Sequence, residues 1–388
     1  MSQNRWLMLF VLFLARTAMA LQFQTVGSAG PFLIDALAID FATLGALIGL
    51  FMLPGVVIAL PGGMLGQRFG AKRVVLAGLI LMAIGGTLMG IGSSFAMAAA
   101  GRIVSGTGAV LVTVLVSKMV TDWFAGREIV TAMSIAIVSW PFGLAVGLVT
   151  YGALGTSSGW PAIMYFGVSA SLIAFVLVAL IYRDPQGLPG AAAGSFRVRL
   201  TRREWFLVLI SGTIWGLFNV AYIVLISFAP DVFTAAGYSL AEASRIASII
   251  GWVLIPLIPL TGAAVERVGH PGAFMTGGFL VAAAAAAALP FTSAPMVALG
   301  IVAVAIGVPA GLIMALPAQV LRAESRAGGM GVYFTCYYVA MALLPGGAGL
   351  ARDLTASAAA PILFAAAMAL LCGLGLMLFH VATRMKER

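Results

Sequence analysis

Charged residues are scarce in this sequence: they make up 9% of its 388 residues, while 62% of the residues are hydrophobic. A soluble domain carries about a quarter charged residues, because its folded surface has to be covered with groups that face water. The composition therefore excludes a soluble globular protein. It predicts an integral membrane protein whose surroundings are the lipid bilayer.

Residues that build disulfide frameworks, metal sites and catalytic centres are also few. The two cysteines, Cys336 and Cys372, lie inside apolar runs, and the two histidines are His270 and His380. This pattern indicates buried cysteines and gives no zinc-ligand spacing. The sequence contains no phosphate-binding Walker motif and no catalytic triad. We therefore expect no enzymatic activity, no cofactor and no bound metal.

Acidic residues are missing from the middle of the apolar runs. All twelve Asp and Glu residues fall in loops or near the ends of the runs. A carboxylate buried in the membrane is a common proton carrier in transport proteins. Simple proton coupling through such a residue is therefore not supported by the sequence.

The apolar runs are long enough to cross a bilayer, which takes about 20 helical residues. They predict an all-α membrane protein with twelve transmembrane helices. The first run ends in an A-x-A-like pattern at Ala18 and Ala20, but Arg16 and the following runs favour a retained helix over a cleaved signal peptide. The predicted spans are 6–28, 41–65, 74–92, 96–120, 129–152, 160–182, 205–229, 243–265, 273–290, 294–320, 329–350 and 358–382.

The net charge of +9 is distributed by side of the membrane. If the N-terminus is cytoplasmic, 16 of the 21 basic residues fall on the cytoplasmic side, and the opposite loops are mainly acidic. The positive-inside rule then places both termini in the cytoplasm of a multi-pass plasma (inner) membrane protein, and nucleic acid is not needed to explain the charge. The 16 residues are Arg5, Arg68, Lys72, Arg73, Arg127, Arg183, Arg197, Arg199, Arg202, Arg203, Arg267, Arg322, Arg326, Arg384, Lys386 and Arg388.

The sequence repeats itself at an offset of 199 residues. This predicts two pseudo-symmetric six-helix halves, 1–182 and 205–388, joined by a cytoplasmic linker at 183–204, an arrangement found in many secondary transporters. The matched pairs are Trp6 and Trp205, Pro31 and Pro230, Gly63 and Gly262, Arg68 and Arg267, Gly70 and Gly269, Gly108 and Gly307, and Arg127 and Arg326.

Two motifs resemble those of the major facilitator superfamily. "GGMLGQRFGAKR" is similar to its signature loop between the second and third helices, and "GRIVSGTGA", which contains Arg102, is similar to its fourth-helix motif. The resemblance implies a twelve-helix transporter that works by alternating access, with gating residues in the signature loop and in its second copy, "GAAVERVG". These gating residues are Gly63, Gln67, Arg68, Gly70, Lys72, Gly262, Glu266 and Arg267.

The loop departs from the family pattern at one position. Gln67 stands where the family has an acidic residue, whereas the second copy keeps an acid at Glu266. The resemblance therefore implies a weaker cytoplasmic latch in the first half. The stretch "LARTAMALQFQTVGSAGPFLI", followed by "LPGVVIALPGGMLG", also resembles the cyanate and nitroimidazole transporter group of the superfamily.

An arginine deep in a predicted membrane span favours an anionic substrate. Arg16 lies about ten residues into the first span, roughly 15 Å deep at 1.5 Å per residue, and an ionisable residue there is a functional candidate. Arg102 is also a candidate substrate-binding residue, because the resemblance implies that the arginine of the fourth-helix motif takes part in coupling or substrate binding. It lies closer to the opposite surface, where its side chain could instead reach lipid headgroups. The remaining candidate substrate-binding residues are Gln24 in the first span, Trp215, Asn219 and Tyr222 on one face of the seventh, and Tyr333 and Tyr337 on one face of the eleventh.

Three interpretations of function remain open at this stage. A monomeric transporter of a small anion fits the deep arginine. An exporter of hydrophobic or cationic drugs would normally place an acidic residue in its cavity, and a sensor without transport activity would not need two glycine-rich gating loops. We therefore favour the anion transporter and keep the drug exporter as the alternative.

The predicted topology can be tested by cysteine labelling in intact cells. Single cysteines placed in the 183–204 linker should resist membrane-impermeant thiol reagents and should react after the cells are permeabilised. Labelling of the linker from outside intact cells would exclude the twelve-span topology with cytoplasmic termini.

Overall fold

The computed structural model describes residues 4–124, 128–185, 200–322 and 325–384, and the regular elements within these ranges are helices. Twelve of the described segments are long and apolar enough to cross a membrane. The all-α fold with twelve transmembrane helices is therefore confirmed. Most of the predicted linker lies outside the described residues, as do Arg127, Arg197, Arg199, Lys386 and Arg388.

Thirteen α-helices make up these spans within the described ranges, because the second span is divided in two. Two short 3-10 helices, Leu289–Phe291 and Pro317–Gln319, follow α10 and α11. The α-helices are α1 Arg5–Leu37, α2 Phe41–Leu50, α3 Leu53–Phe69, α4 Ala71–Ile91, α5 Phe95–Phe124, α6 Ile129–Ser158, α7 Trp160–Leu180, α8 Arg202–Ala235, α9 Leu240–Val268, α10 Pro271–Ala288, α11 Pro295–Ile313, α12 Arg326–Thr355 and α13 Ala359–Arg384.

The first helix of each predicted half runs further than the sequence indicated. α1 continues past Pro31 to Leu37, and α8 continues past the matching Pro230 to Ala235. Proline removes one intrahelical hydrogen bond, but membrane helices tolerate this where neighbouring groups satisfy the freed carbonyl. The two prolines therefore lie inside helices and do not mark where they end.

The second span is not the single helix predicted for residues 41–65. α2 ends at Leu50, Phe51 and Met52 form a turn, and α3 starts at Leu53 with Pro54 as its second residue. Proline suits the first turn of a helix because its missing N–H would have no intrahelical partner there. The span therefore consists of a short helix and a longer one.

The chain divides into two compact units. The first contains Met1–Ile39 and Leu50–Gly194; within it α1 packs against α6 and α7, and α4 packs against α5 and α7. The second contains Asp40–Gly49 and Ser195–Arg388; within it α8 packs against α12 and α13, and α11 packs against α9 and α10. Residues 40–49, which the repeat assigns to the first half of the sequence, thus pack with the second unit.

Close helix contacts in the first unit depend on small residues. A Cβ atom added at Gly106 of α5 would overlap the carbonyl oxygen of Phe51, and one added at Gly108 would overlap the carbonyl oxygen of Gly78 in α4. Membrane helices gain little from hydrophobic exclusion against each other, so contacts between small residues are a main source of their packing energy. Gly106 and Gly108, the glycines of the fourth-helix motif, therefore serve helix packing.

Gly106→Ala should lower the melting temperature by about 2–6 °C, because overpacking costs about 1–3 kcal/mol. Gly277→Ala in α10 is the matched control, since no atom lies within 4 Å of a Cβ added there. The control should be neutral or slightly stabilising, as alanine favours helices. Thermal unfolding of the purified proteins in one detergent measures both effects, and equal melting temperatures would contradict the packing role.

Candidate functional site

Arg16 lies in the most deeply packed part of the first unit. α1 is buried almost without interruption from Ala15 to Gly30, and Arg16 is half-buried between the buried residues Ala15 and Thr17. The structure therefore places a guanidinium at the start of a stretch of α1 whose other residues, 15 and 17–30, are buried. The depth in the membrane that the sequence predicts for Arg16 stays a prediction.

Gln24 lies two turns further along α1 and is 1% exposed. Its amide nitrogen donates to the hydroxyl of Ser28 at 3.2 Å, while its amide oxygen is buried without a donor among the described residues. A Cβ added at Gly147 of α6 would lie 3.4 Å from the Gln24 side chain, so α6 covers it closely. Gln24 thus has one acceptor position that the described protein leaves unused.

Arg102 is fully buried, which corrects the expectation that its side chain reaches lipid headgroups. Its two terminal nitrogens donate to the backbone carbonyls of Gln22 at 3.2 Å and Phe23 at 3.3 Å. The guanidinium carbon also lies 4.5 Å from the ring centre of Phe51 and 5.6 Å from that of Phe23. A buried arginine is costly unless its donors are used, and here the backbone of α1 accepts from them.

Next to Arg102 is a buried polar cluster that sequence reasoning missed. The amide nitrogen of Gln22 donates to the carbonyl of Met82 at 3.3 Å and to the hydroxyl of Ser105 at 3.4 Å. Cβ atoms added at Gly86 and Gly167 would overlap the Gln22 amide, so these glycines provide its space. The available sequence signal was a glutamine in an apolar span together with glycines in the third and sixth spans.

Trp215 is the centre of an aromatic cluster in the second unit. Its ring is 5.6 Å from Phe218 and 6.5 Å from Tyr333, both at an interplanar angle of 17°, and 6.1 Å from Tyr337 at 32°. Trp215 and Tyr337 are half-buried, whereas Tyr333 is 0% exposed. The structure therefore brings together three of the predicted aromatic residues and adds Phe218, which the sequence analysis did not select.

The other two candidates on α8 are more deeply buried than Trp215. Asn219 donates its amide nitrogen to the carbonyl of Trp215 at 2.8 Å, so one of its donors is used within its own helix. Tyr222 is 3% exposed, and its hydroxyl has no hydrogen-bond partner among the residues that the structure describes. Both residues follow the aromatic cluster along α8 as the spacing predicted.

The two glycine-rich loops share a backbone feature that explains their similarity. Gly70 has φ +88° and Gly269 has φ +75°, in the region that favours glycine. Each lies between two consecutive membrane helices and allows the tight reversal there. Gly63 and Gly262 have more open surroundings: the nearest atom to a Cβ on Gly63 is 4.0 Å away, and none lies within 4 Å for Gly262.

Lys72 serves the end of a helix in its own unit. Its amino group donates to the backbone carbonyls of Ala179 at 2.9 Å and Tyr182 at 2.7 Å, where α7 ends. Carbonyls at a helix C-terminus have no intrahelical donor and carry partial negative charge, so a lysine stabilises them. Of the other predicted gating residues, Arg68 lies over the ring of Phe69 at 5.3 Å, and Gln67, Glu266 and Arg267 are exposed.

Glu204 is a buried carboxylate that the sequence analysis did not select. It is 4% exposed at the start of α8 and accepts from Arg322 through the backbone nitrogen, Nε and Nη2 at 3.1–3.2 Å. Its oxygens also accept from the Ser325 hydroxyl and from the backbone nitrogen of Thr201. The sequence signal was the capping box formed by Thr201 and Glu204.

Comparison with known proteins gives the family. The model of the Major Facilitator Superfamily matches residues 9–345. The chain belongs to the Major Facilitator Superfamily. In structure it is similar to a bacterial homolog of the human lysosomal transporter Spinster in an inward-facing and occupied conformation, with a TM-score of 0.81, 17% identity, and coverage of 100% of this chain and 99% of that chain. At this identity the likeness shows the superfamily fold alone.

Curated relatives within the Major Facilitator Superfamily carry different names. An uncharacterized MFS-type transporter of Mycobacterium tuberculosis is 27% identical over 57% of this chain and 36% of its own length. The choline/ethanolamine transporter FLVCR2 of Homo sapiens is 23% identical over 62% of this chain and 47% of its own length. The hexuronate transporter of Bacillus subtilis is 21% identical over 46% of this chain and 40% of its own length. The matches thus span less than half the length of these relatives.

The chain thus combines membership of the Major Facilitator Superfamily with twelve described segments that are long and apolar enough to cross a membrane. Its signature loop is the one that contains Gly70 and Lys72. In this member the lysine binds the end of α7, so at least one basic residue of the loop stabilises a helix in the first unit.

Lys72→Met should lower the melting temperature by about 2–4 °C, because the α7 carbonyls lose a charged donor worth about 1 kcal/mol at this half-buried position. Arg73→Met is the matched control, since Arg73 is the exposed neighbouring basic residue. Thermal unfolding measures both variants. If Arg73→Met destabilises the protein as much as Lys72→Met, the capping role of Lys72 is wrong.

Proposed function

We propose that this protein transports a small anion by alternating access, with Arg16 binding the negative charge of the substrate. The observation that carries the proposal is the position of Arg16, half-buried near the start of the buried stretch 15–30 of α1. The carboxylates of the described spanning helices lie near helix ends, among them Asp35, Asp122, Glu204, Asp231 and Asp353. The carboxylates of these described helices therefore lie away from the middle of the spans, whereas Arg16 does not lie at a helix end.

A deep guanidinium favours binding of a carboxylate or other oxyanion. Charge is expensive in a low-dielectric site, and an incoming anion offsets that cost through charge-assisted hydrogen bonds. The planar guanidinium can form two parallel bonds to such a group, which lysine cannot. The name of the hexuronate transporter, a relative described above, denotes an acidic sugar and is compatible with this substrate class.

The remaining candidate residues take supporting roles in the proposal. In the first unit, Gln24 has an unused amide oxygen that could accept from a hydroxyl or amine of a substrate. In the second unit, Trp215 and Tyr337 present half-buried aromatic surface, which suits a planar or apolar group. Asn219, Tyr222 and Tyr333 line the same stretch of α8 and α12. Arg102 positions the middle of α1 through its carbonyls and does not contact the substrate itself.

We further propose anion exchange or facilitated movement as the transport mode, since mid-span Asp and Glu are absent from the sequence. The proposed setting is the inner membrane, with both termini in the cytoplasm, as the distribution of basic residues favours. The proposed transporter is a monomer. In the signature loops Gln67, Arg68, Glu266 and Arg267 are proposed to contribute to gating. The finer resemblance to the cyanate and nitroimidazole group stays a prediction, as the relatives described above carry other names.

Transport of a cationic or hydrophobic compound is the second candidate function. The aromatic cluster around Trp215 favours it, because aromatic faces attract quaternary ammonium groups. The name of the choline/ethanolamine transporter, a relative described above, is compatible with this second candidate as well. The two candidate functions differ in how Arg16 would act on the substrate. Its positive charge would bind an anion and repel a cation.

A thermal-shift screen of the purified protein separates the two candidates. Small carboxylates, nitrate, nitrite and cyanate form one set of compounds, and choline and organic cations form the other. A ligand that binds the folded protein raises its melting temperature. We expect stabilisation by members of the first set.

Arg16→Gln should then reduce binding of the best anion at least about tenfold, and Arg16→Lys should weaken it less, because a charged hydrogen bond contributes about 1.5–3 kcal/mol. Liposome uptake should fall with binding. Arg245→Gln, at an exposed position on α9, is the control and should transport normally. Normal uptake by Arg16→Gln, or stabilisation by cations alone, would replace the anion proposal with the second candidate.

A further inference from the structure

The second unit has an apolar groove between α10 and α11, with a volume of about 600 Å³. Val281, Ile301 and Val304 of its lining are exposed, although they lie within spanning segments. Apolar side chains that are exposed at this depth face hydrocarbon, so the groove opens toward the bilayer. Its lining includes Phe274, Gly277 and Val281 of α10 and Gly300, Ile301 and Val304 of α11.

Two glycines of the groove differ from their partners in the sequence repeat. At the 199-residue offset, Gly277 corresponds to Gly78 and Gly300 to Gly101. Cβ atoms added at Gly78 and Gly101 would overlap carbonyl oxygens of the facing helix. At Gly277 and Gly300, by contrast, no described atom lies within 4 Å of the added Cβ. Packing within the protein therefore explains the glycines of the first unit and does not explain those of the groove.

Glycine is unfavourable inside a helix unless something approaches its backbone closely. α10 has alanine where a small residue is enough, as in the run of alanines at 282–288 that follows the groove. Gly277 and Gly300 keep the groove deep instead. Their positions thus favour an occupant that lies against the two helix backbones.

The size of the groove matches a single lipid chain. The lining runs from 273 to 281 along α10 and from 297 to 308 along α11, which is about 12–17 Å at 1.5 Å per residue. This length is about half of the 30 Å hydrocarbon core, so it corresponds to one leaflet. Spread over it, the volume gives a mean cross-section of about 40 Å², less than half that of a helix 10–12 Å across. The groove is therefore wide enough for an extended acyl chain and too narrow for a helix of another protein.

One end of the groove, at Phe274, adjoins the loop between α9 and α10. Arg267 lies in the last turn of α9 and His270 directly precedes α10, and both are exposed. Glu266 is the acidic residue of this loop. The N-terminus of α10 adds partial positive charge at the same place.

α13 and α8 bring further arginines to this end. The ring of His380 in α13 lies 2.9 Å from a Cβ added at the glycine in the first turn of α10. Arg384 follows one turn later and is exposed, and the carbonyl of Thr383 beside it accepts from Arg203 of α8 at 2.9 Å. With the arginine of the loop, this end of the groove has three arginines and one exposed acid, Glu266. We call it the basic end.

We propose that the groove is a binding site for an anionic phospholipid. One acyl chain lies between α10 and α11 against Gly277 and Gly300, and the phosphate lies at the basic end, where Arg203, Arg267 and Arg384 offset its charge. Basic pockets between transmembrane helices bind anionic headgroups in this way. The lipid belongs to the leaflet where α8 begins and α13 ends, which is the cytoplasmic leaflet under the proposed topology. The site does not depend on the identity of the transported substrate.

Thermal unfolding of the full-length protein in detergent, with added lipid, tests the groove. Phosphatidylglycerol and phosphatidylcholine with the same acyl chains are the anionic and the zwitterionic probe. Phosphatidylglycerol should stabilise the wild type at about tenfold lower concentration, since a ligand that binds the folded state raises its melting temperature.

Gly277→Leu and Gly300→Leu fill the groove and should each weaken stabilisation by phosphatidylglycerol at least about tenfold. Their melting temperatures without lipid should not fall, because leucine favours helices and no described atom crowds these positions. Ala367→Leu is the matched control, since it adds the same side chain at an exposed position of α13 outside the groove lining. Loss of stabilisation in Ala367→Leu as well would overturn the site.

Arg267→Gln and Arg384→Gln test the basic end. Each should reduce the preference for phosphatidylglycerol over phosphatidylcholine about fivefold, because one basic residue near the membrane surface contributes about that factor. Arg73→Gln, which removes an exposed arginine of the first unit, should keep the preference. An equal loss in Arg73→Gln would mean that net charge alone attracts the lipid, against the proposal.

Photo-cross-linking locates the acyl chain. The protein is placed in phosphatidylcholine vesicles that contain a phosphatidylglycerol with a photoreactive acyl chain. Adducts should concentrate on residues 273–281 and 297–308, and Gly277→Leu should reduce them about tenfold as the affinity falls. Adducts spread evenly over the exposed helix faces, or equal stabilisation by the two lipids, would overturn the proposal. A wild-type dimer in detergent that becomes a monomer in Gly277→Leu would overturn it too, and would assign the groove to a second copy of this chain.

Discussion

A peptide group inside a bilayer has no water to bond to, so its N–H and carbonyl have to find partners within the protein. Helices satisfy most of them, but the first N–H groups and last carbonyls of each helix remain. Several charged side chains of this protein meet that need. Asp353 accepts from the start of α2, and Lys72 donates to the end of α7. Arg102 has the opposite need, since its buried guanidinium requires acceptors, and carbonyls in the middle of α1 supply them.

This use of charge narrows the choice of functional residues. Arg102, Lys72 and Glu204 are bonded to backbone or to other side chains of their own unit, which explains their positions without a ligand. Arg16 differs in its place, since it is half-buried at mid-span on α1. The proposal that Arg16 binds the charge of the substrate therefore rests on the position of Arg16. The roles of Arg102, Lys72 and Glu204 follow from their hydrogen bonds.

The number and approximate bounds of the spans could be predicted from the sequence. The hydrocarbon core of the bilayer requires long apolar helices, so each span is visible as a long apolar run of residues. The ends of α1 and the break before Leu53 could not be predicted, because Pro31 and Pro54 look alike in sequence and their effect depends on packing. The aromatic cluster around Trp215 was partly predictable from helical spacing. The burial of Arg102 could not be predicted from the sequence. Its acceptors are backbone carbonyls of a distant segment, and every residue has such a carbonyl, so the sequence does not show which of them are used.

The bonds of Arg102 bear on how the protein is made. Its acceptors, the carbonyls of Gln22 and Phe23, belong to α1, which leaves the ribosome before α5. An isolated α5 would expose a guanidinium to lipid at a cost of about 2.5–3.5 kcal/mol on insertion scales. If α1 is already in the bilayer when α5 enters beside it, the carbonyls of α1 accept from Arg102 and most of that cost is avoided. The order of the helices along the chain thus supplies the acceptor before the charge that needs it.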